Sequence, residues 1–385
     1  MRKKESATYS LKFLANTNME PFKPYVPIIR WKPAERRALE RLYQKDRGGV
    51  TPLIEFIMPP PKTDAGDYRK ILEDSKSKFL RNLPDVAKEI TKCWGKDPVF
   101  IDVHLLDGDI RAQAFEQILS SAAGLYIFSI PVTYIIPVTS TDADAAIRNI
   151  AVKFATNDER GLCIRIDESH LKEENFPKLI EDFIGGNKLS VKKTDILVDL
   201  KIIDENKKAQ LIIEQLSKIP HLEKLRSFTI AGGAFPKDLS NFKKHGHYPI
   251  KRLDWDLWKE IAESKTLKRK PNFSDYTIQH PIYYTAIPGA NISASIRYAN
   301  DEQWEVIRGE GLRNEKGAGF KQYPAQAQLL VQQKFYKGAD FSFGDTYIAE
   351  KAKPKPDTPG SPQTWLTAGI NHHITLVARQ IANLP

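Results

Sequence analysis

The chain has 385 residues, which is enough for one large domain or two ordinary ones. Its composition, 41% hydrophobic and 28% charged, is that of a globular protein, and no apolar run approaches the roughly 20 residues needed to cross a bilayer. The net charge of +10 favours polyanionic partners such as nucleic acid or nucleotides.

With only Cys93 and Cys163, and no CxxC spacing, neither a structural disulfide nor a cysteine zinc site is expected. Residues 1–6 are basic but lack the apolar core of a signal peptide, so we expect a cytoplasmic protein.

Short apolar strands alternate with helices through the first two thirds of the chain. Residues 1–24 carry little pattern and are expected to form an N-terminal arm. Strands are predicted at 26–30, 52–57, 98–104, 132–138, 161–166, 196–200, 227–231 and 275–279, with helical segments between them. Continuous apolar runs such as Ile196-Leu197-Val198 indicate strands that are buried on both faces, as in a parallel sheet covered by helices.

Eight such units predict an α/β fold, a (β/α)8 TIM-barrel-like domain over residues 25–290. An open doubly wound sheet more often has fewer strands and a glycine-rich first turn, and no GxGxxG motif follows the first strand here. A dinucleotide-binding Rossmann fold is therefore not favoured.

The pattern changes beyond the eighth strand, over residues 291–385. The predicted elements there are a β-hairpin of 294–298 and 304–309, a helix at 326–335, a strand at 341–348, a mobile proline-rich loop at 353–362 and a final helix at 371–382. We expect these additions to pack on the barrel and to close over its mouth. The proline-rich loop at 353–362 is also a candidate contact for a protein partner.

Two adjacent histidines, His372 and His373, stand at the predicted start of the last helix. Asn371 is suited to cap that helix, because its side-chain oxygen can accept from the first free backbone N–H groups. Helix N-termini also favour anions, so the two histidines are candidates for contact with a ligand. The alternative is a cap that is followed by two surface imidazoles.

Short segments from Tyr25 onward form a specific ordered set. They are Tyr25-Val26-Pro27, Thr51-Pro52-Leu53-Ile54-Glu55, Phe100-Ile101-Asp102-Val103-His104, Arg226-Ser227-Phe228-Thr229, Asp275-Tyr276 with His280-Pro281, Ala294-Ser295-Ile296-Arg297-Tyr298, Phe341-Ser342 with Gly344-Asp345, and Trp365 with Asn371-His372-His373-Ile374-Thr375. This set resembles the beta-protein family, which is named after a phage protein and is widespread in bacteria and phages. The resemblance implies no assigned chemistry, and the family's phage and mobile-element associations suggest virus–host conflict, including antiviral defence.

Polar residues at the carboxyl ends of the predicted strands are the first candidates for a site, because barrel enzymes carry their active sites there. Asp102 and His104 are two residues apart and point to the same side of their strand. If that side faces the barrel interior, Glu55 and Asp199 from other strands converge with them. Three carboxylates with one imidazole suit a divalent cation, Mg²⁺ or Mn²⁺, or general acid–base chemistry.

A second interpretation of the same acidic residues stays open. They can form a buried polar network that fixes the register of the barrel, with each charge paired to Arg165 or Arg30. In that case the acidic cluster has a structural role and binds no ligand.

Cationic and polar side chains elsewhere are candidates for binding anionic oxygens of a substrate. The predicted substrate-binding set is Lys32, Arg165, Arg297, Asp345, His372 and His373, with Asp345 either orienting one of the two histidines or capping a turn. The remaining histidines His170, His221, His245 and His247 are predicted to lie on the surface, and His245-Gly246-His247 could bind a metal only loosely.

These observations predict a hydrolase-like barrel enzyme, of the phosphodiesterase or nuclease type, that acts on a phosphate-bearing substrate such as a nucleic acid or nucleotide. Its predicted catalytic residues are Glu55, Asp102, His104 and Asp199. The sequence contains no GxSxG, P-loop or HExxH motif, so schemes based on those motifs are not supported. The alternative function is a non-catalytic sensor that binds nucleic acid or protein in a phage or antiviral system.

Overall fold

Eight parallel strands close into a barrel in the computed structural model, which describes residues 24–61, 68–127, 134–157, 159–285 and 289–384. The strands in chain order are β1 (Tyr25–Arg30), β2 (Leu53–Glu55), β3 (Val99–Asp102), β4 (Ile135–Thr139), β5 (Leu162–Asp167), β6 (Thr194–Ile202), β7 (Ser227–Gly233), β8 (Gly246–Lys251), β9 (Asn272–Asp275), β10 (Ser293–Ala299) and β11 (Gln303–Gly311). Strands β1 to β7 follow one another around the barrel, and β9 closes it against β1. The predicted (β/α)8 barrel is confirmed, although its eighth strand ends at Asp275 instead of beginning there. The predicted arm lies outside the described residues, except for Pro24.

The interior of the barrel is filled by an apolar layer with a polar layer above it. The apolar residues are Val26, Ile28, Leu53, Phe100, Ile136, Val138, Cys163, Leu197, Ala231 and Tyr276. Two residues further along β2 and β3 come Glu55 and Asp102, which are paired in register. Arg165 and Asp199 follow in the same way on β5 and β6. Because side chains alternate along a strand, these polar residues share the interior face of the barrel at the carboxyl ends of the strands.

Helices cover the outer faces of the strands. They are α1 (Pro33–Glu40), α2 (Gln44–Arg47), α3 (Tyr68–Asn82), α4 (Val86–Trp94), α5 (Gly108–Ile127), α6 (Ala145–Asn157), α7 (Glu168–Lys172), α8 (Phe176–Gly186), α9 (Ala209–Leu216), α10 (Leu253–Ala262), α11 (Gln322–Val331), α12 (Phe343–Lys351) and α13 (Pro362–Ala382). In α4, Val86, Ile90 and Trp94 recur every four residues and are all buried, as expected for a helix that packs one face on a core. Within the described ranges, no helix has the length and apolar character that a membrane span requires.

The elements after the barrel form a second layer of structure on one side of it. The predicted hairpin is present as β10 and β11, and β11 also pairs with β8, which comes from the segment between β7 and β9. Helix α13 packs along α1, β10 and α12. The part of the chain that forms the barrel therefore also contributes one strand, β8, to the C-terminal sheet. The C-terminal helix in turn covers part of the barrel.

Helix α12 stands where the sequence predicts a strand at 341–348. Ser342 Oγ accepts a hydrogen bond from the backbone N–H of Asp345 and so starts a helix. This hydrogen bond favours a helix, and its effect exceeds that of the alternating apolar residues, which favour a strand. The proline-rich segment that follows connects α12 to α13, and Trp365 Nε1 donates to the carbonyl of Pro359 within it at 3.0 Å.

Helix α13 begins at Pro362 and not at residue 371. Ser361 and Thr364 form a capping box, in which each side chain bonds to the backbone N–H of the other residue. Asn371 therefore lies in the middle of the helix and is not its cap. Its Oδ1 instead accepts from the backbone N–H of Gly344 at 2.9 Å, which joins α13 to α12.

One buried carboxyl group outside the polar layer lies near another negative charge. Asp254 belongs to α10 and is 3% exposed. Burial, together with the carboxylate of Asp275, raises the pKa of Asp254 to about 7, and Arg252 only partly opposes this. Above that pH the folded protein holds an additional ionised carboxylate in its interior.

The substitution Asp254→Asn should therefore change how stability depends on pH. The pKa of Asp254 is higher in the folded protein than the value of about 3.9 in an unfolded chain, so its stabilising effect is complete below pH 4 and is lost as the pH rises through 7. We expect the free energy of unfolding of the wild type, relative to the variant, to fall by up to about 4 kcal/mol over this range in urea titrations. Asp256→Asn, at an exposed position of the same helix, should not show this fall. Identical pH dependence of the wild type and Asp254→Asn would contradict the assignment.

Candidate functional site

Arg165 is the centre of the polar layer at the carboxyl ends of the strands. Its Nη1 donates to Asp102 Oδ2 at 2.7 Å, and its Nη2 and Nε donate to Asp199 Oδ2 at 2.5 and 3.1 Å. Nη2 also lies 2.9 Å from Glu55 Oε1 and donates to the hydroxyl of Tyr276 at 2.8 Å. Three strands thus direct a carboxylate onto one buried guanidinium that a fourth strand supplies.

Two of these carboxylates are held in their ionised form. Burial alone would raise the pKa of Asp102, but His104 and Arg165 outweigh it and hold that pKa well below its ordinary range. The same opposition applies to Asp199, whose pKa is lowered by Arg165 and by Lys201. The layer therefore carries fixed buried charges of both signs, which are stable there because each is paired.

Glu55 is the least completely bonded member of the layer. It is 1% exposed, and its Oε2 lies 3.6 Å from Nε of Arg30, whose Nη2 donates to the backbone carbonyls of His280 and Pro281. Neither carboxylate oxygen of Glu55 has a hydrogen bond of acceptable geometry within the described part of the chain. Glu55 therefore has acceptor capacity to offer to a further donor.

His104 is the member of the predicted catalytic set that reaches solvent, since 39% of its side chain is exposed. Its Nδ1 lies 3.0 Å from Asp102 Oδ1, which also accepts from the backbone N–H of His104 at 2.9 Å. The contact between Nδ1 and Arg165 Nη1 is longer, at 3.4 Å. Asp102 Oδ1 is the nearer of these two partners of Nδ1 and only accepts hydrogen bonds, which favours the neutral tautomer with its proton on Nδ1 and its lone pair on Nε2. Nε2 lies 3.6 Å from Glu55 Oε1.

A pocket of about 230 Å³ opens beside His104, over the ends of β3 to β6. Its polar lining includes Arg111, Thr139, Asp142 and Lys201. The hydroxyl of Thr139 is buried and has no hydrogen-bond partner among the described residues. The pocket thus lies directly on the polar layer, where barrel enzymes bind their substrates.

His170 contributes a second imidazole–carboxylate group to the same pocket. Its Nδ1 lies 2.8 Å from Asp167 Oδ1 and its Nε2 lies 3.2 Å from Asp142 Oδ1. Burial alone would lower the pKa of His170, but the two carboxylates raise it overall. The predicted surface position is wrong, since His170 is 8% exposed. The signal in the sequence was the Asp-x-x-His spacing at the end of a strand, where Asp167 Oδ1 accepts from the backbone N–H groups of Ser169 and His170 and so caps α7.

Lys201 brings a cation to the pocket. Its backbone is in the left-handed region, with φ of 55°, and its side chain turns back over the end of β6. Nζ lies 2.8 Å from Asp199 Oδ2 and donates to the hydroxyl of Tyr276 at 3.1 Å. About a third of the side chain, 35%, remains exposed. Lys201 can therefore meet a negatively charged ligand while it stays attached to the polar layer.

Two predicted substrate-binding residues do not line this pocket. Nζ of Lys32 lies 4.6 Å from the ring centre of Tyr283, and burial is the main cause that lowers the pKa of Lys32. Arg297 donates from Nη1 to the carbonyl of Ile278 at 2.9 Å and lies over the ring of Phe235. Their contacts within the protein give no support to the predicted role in substrate binding.

The histidines of α13 make buried contacts that attach this helix to its neighbours. His372 Nδ1 lies 2.7 Å from Asp345 Oδ2, and its Nε2 lies 2.7 Å from the carbonyl of Ala299. His373 Nε2 lies 2.7 Å from Asp275 Oδ2. The predicted contact of Asp345, His372 and His373 with an anionic ligand has no support in this arrangement, because all three side chains are fully buried away from solvent.

The guanidinium of Arg165 lies between the acidic residues, at the position where the sequence suggests a divalent cation. Within the described ranges, no three His, Cys, Asp or Glu side chains are grouped so that they could hold a metal ion. Glu55, Asp102 and Asp199 do converge, but on a guanidinium. The interpretation of these acids as a buried network paired to arginine therefore fits the geometry, while the imidazole of His104 lies above that network and is partly exposed.

The protein is thus of the (β/α)8 barrel class. Its barrel carries an ion-paired acidic layer and two imidazole–carboxylate pairs at its mouth. The family model described as Beta protein matches residues 25–379, and the chain belongs to that family. A comparison with curated proteins gave no match. Among solved structures, a GH18 chitinase from Pseudoalteromonas aurantia is 12% identical, with a TM-score of 0.32, over 54% of this chain and 93% of the chitinase chain. That degree of likeness carries no argument about this chain.

Removing the central guanidinium should destabilise the fold strongly. In Arg165→Met three buried carboxylates lose their partner, and breaking a buried ion pair from one side costs about 3–5 kcal/mol. We expect a decrease of at least this size in the free energy of unfolding, measured with urea. Arg36→Met, which breaks the partly exposed pair of Arg36 with Glu89, should cost about 1 kcal/mol or less. Similar losses in the two variants would contradict the central position of Arg165.

Proposed function

We propose that this protein is a hydrolase that cleaves a phosphodiester with water in the pocket over β3 to β6. The observation that carries the proposal is the Asp102–His104 pair, a solvent-accessible imidazole that is oriented by a buried, ion-paired carboxylate. A general base positioned in this way contributes about 10²- to 10⁴-fold to a reaction rate. The proposal keeps the predicted class of substrate and assigns the chemistry to the two imidazoles that line the pocket, those of His104 and His170.

His104 acts as the general base on the attacking water. Its Nε2 and Glu55 Oε1 are 3.6 Å apart, which is too far for a direct hydrogen bond, and Glu55 has acceptor capacity to spare. A water molecule that bonds to both atoms transfers its proton to Nε2 while its oxygen attacks phosphorus. Asp102 stabilises the imidazolium that results, and Arg165 holds Asp102 in place.

His170 acts as the general acid. Asp142 and Asp167 raise its pKa, so it keeps its proton to a higher pH than an ordinary histidine. As the bond between phosphorus and the leaving oxygen breaks, His170 gives its proton to that oxygen. The products are a phosphomonoester and an alcohol, and the two imidazoles return to their starting states by exchanging protons with solvent.

Lys201 and Arg111 bind the oxygens of the phosphate. The ammonium group of Lys201 is partly exposed at the pocket. Arg111 is anchored by hydrogen bonds from Nε and Nη2 to the carbonyl of Leu106, and its Nη1 lies 4.0 Å from Asp144, at the limit of an ion pair. The net charge of +10 also favours the approach of an anionic substrate.

The variant His104→Gln tests the general base directly. It should lower kcat/KM by about 10²- to 10⁴-fold without unfolding the protein, because the replaced side chain is partly exposed. The measurement is release of nitrophenolate from bis(p-nitrophenyl) phosphate, with linear and cyclic nucleotide esters as further substrates. His221→Gln, at an exposed histidine outside the pocket, should leave the rate unchanged.

The acid should be visible in the pH profile for a linear nucleotide ester, because an alkoxide leaving group needs the proton of His170 and nitrophenolate does not. The raised pKa of His170 means that the active, protonated form is lost as the pH rises above the ordinary histidine value of 6.5. The wild type should therefore lose activity on the alkaline side of the profile. In His170→Gln that limb should disappear together with most of the rate. An unchanged alkaline limb in His170→Gln would contradict the role of the acid.

The non-catalytic alternative has its own support in the basic net charge, which suits a nucleic-acid-binding protein. It predicts that the wild type hydrolyses none of these esters but retards a labelled oligonucleotide in a salt-dependent manner. That pair of results would overturn the hydrolase proposal.

A further inference from the structure

A second cleft, of about 470 Å³, lies outside the barrel between the C-terminal sheet and helix α11. Strands β8 and β11 form one wall, with His247, Ile307 and Gly309. The helix forms the other wall, with Gln322, Gln326 and Leu329. A volume of this size is in the range of small-molecule sites.

Gly309 lets the two walls come close together. A Cβ atom at this position would lie 2.3 Å from Gln322 Oε1 and 2.9 Å from Gln326 Nε2, so any side chain here would push both amides away. Gln322 is held by its own contacts, since its Oε1 accepts from the backbone N–H of Glu310 at 2.8 Å. The amide groups of the helix are therefore fixed directly opposite the strand.

Gln326 lines the cleft and carries a buried acceptor that has no partner among the described residues. The residue is 6% exposed, and its Nε2 donates to the carbonyl of Ala294 at 3.1 Å. That bond sets the orientation of the amide, because the opposite orientation would place two acceptors against each other. Oε1 then has no hydrogen-bond partner in the described part of the chain. A donor from a ligand would relieve the cost of this unpaired group.

His247 presents a second acceptor. Its Nε2 lies 2.6 Å from Glu305 Oε2, and Glu305 is 1% exposed. The other oxygen of Glu305 accepts from Nδ2 of Asn300 and Nε2 of Gln303, at 2.8 and 2.7 Å. The carboxylate is thus fixed by three donors, so the proton of His247 stands on Nε2 and the lone pair on Nδ1.

We propose that this cleft binds a nucleobase that carries an exocyclic amino group, as its nucleoside. Gln326 Oε1 and His247 Nδ1 are acceptors and so call for N–H donors, whereas Nε of Arg308, which is also without a hydrogen-bond partner among the described residues, calls for an acceptor such as the ring nitrogen beside the amino group. Ile307 and Leu329 offer apolar surface against which a planar ring can lie, and Leu329 is 54% exposed.

The guanidinium of Arg308, which also lines the cleft, donates to the backbone carbonyls of Leu239 and Phe242. The charges that remain at the rim, those of Lys321 and Glu310, oppose each other, so a neutral ligand fits better than an anion. The site is independent of the proposed chemistry at the barrel mouth.

The proposal is tested by titrating the full-length protein with nucleosides in a calorimeter. Adenosine and cytidine should bind, whereas purine riboside and uridine, which lack the amino group, should bind at least about tenfold more weakly. Gln326→Met and His247→Phe should each weaken the binding of adenosine about tenfold or more. His247→Phe changes a partly exposed residue and so keeps the test valid if Gln326→Met fails to fold. His221→Phe and His104→Gln should leave binding unchanged.

The proposal is overturned if no nucleoside binds at millimolar concentration, if the four nucleosides bind equally, or if both cleft variants bind adenosine like the wild type. Loss of binding in His104→Gln would instead place the nucleoside in the barrel pocket and would also refute the second site.

Discussion

The guanidinium of Arg165 is buried among carboxylates from three other barrel strands, and both the register of the barrel and the geometry of its mouth depend on this contact. Charges in an interior are stable only when each is closely paired. A shift of one residue in any of these strands would turn its carboxylate to the outer face of the barrel. The same contact fixes Asp102, and through it the exposed imidazole of His104.

The C-terminal elements depend on a different set of buried polar contacts. His373 reaches Asp275 at the end of β9, and His372 reaches Asp345 at the start of α12. The first contact joins α13 to the barrel, and the second joins α13 to the helix that precedes it. The Asn-His-His segment is therefore part of the packing between the barrel and its C-terminal layer, and the histidines available for chemistry are those at the strand ends.

Much of this arrangement follows from local patterns in the sequence. Alternation of strands and helices predicts the barrel, and the position of Asp102 at the end of a strand predicts a polar residue at its mouth. A single sequence does not give the distances between side chains that lie on different strands. The convergence of Asp102 with Glu55 and Asp199 is compatible with a cation or with Arg165 at the centre, and only the relative positions of four strands decide between them.

The start of α13 and the position of His170 also differ from the prediction, and both differences have local causes. Ser361 and Thr364 form the capping box that starts α13, and this signal competes with the glycine and asparagine nearer the histidines. His170 has an ordinary surface context in the sequence, and it becomes part of the pocket because the cap of α7 turns its ring inward between Asp142 and Asp167. Such effects depend on side-chain geometry and not on periodicity.

The most direct test of this account is the tautomer of His104, measured from the ¹⁵N chemical shifts of histidine-labelled protein and assigned with His104→Gln. Asp102 Oδ1, which Arg165 holds in place, is the nearest partner of His104 Nδ1 and only accepts hydrogen bonds, which favours the proton on Nδ1 and the lone pair on Nε2. The account predicts this Nδ1–H form in the neutral imidazole. Finding the proton on Nε2 would mean that Asp102 does not orient His104, and the proposed general base would then have no structural support.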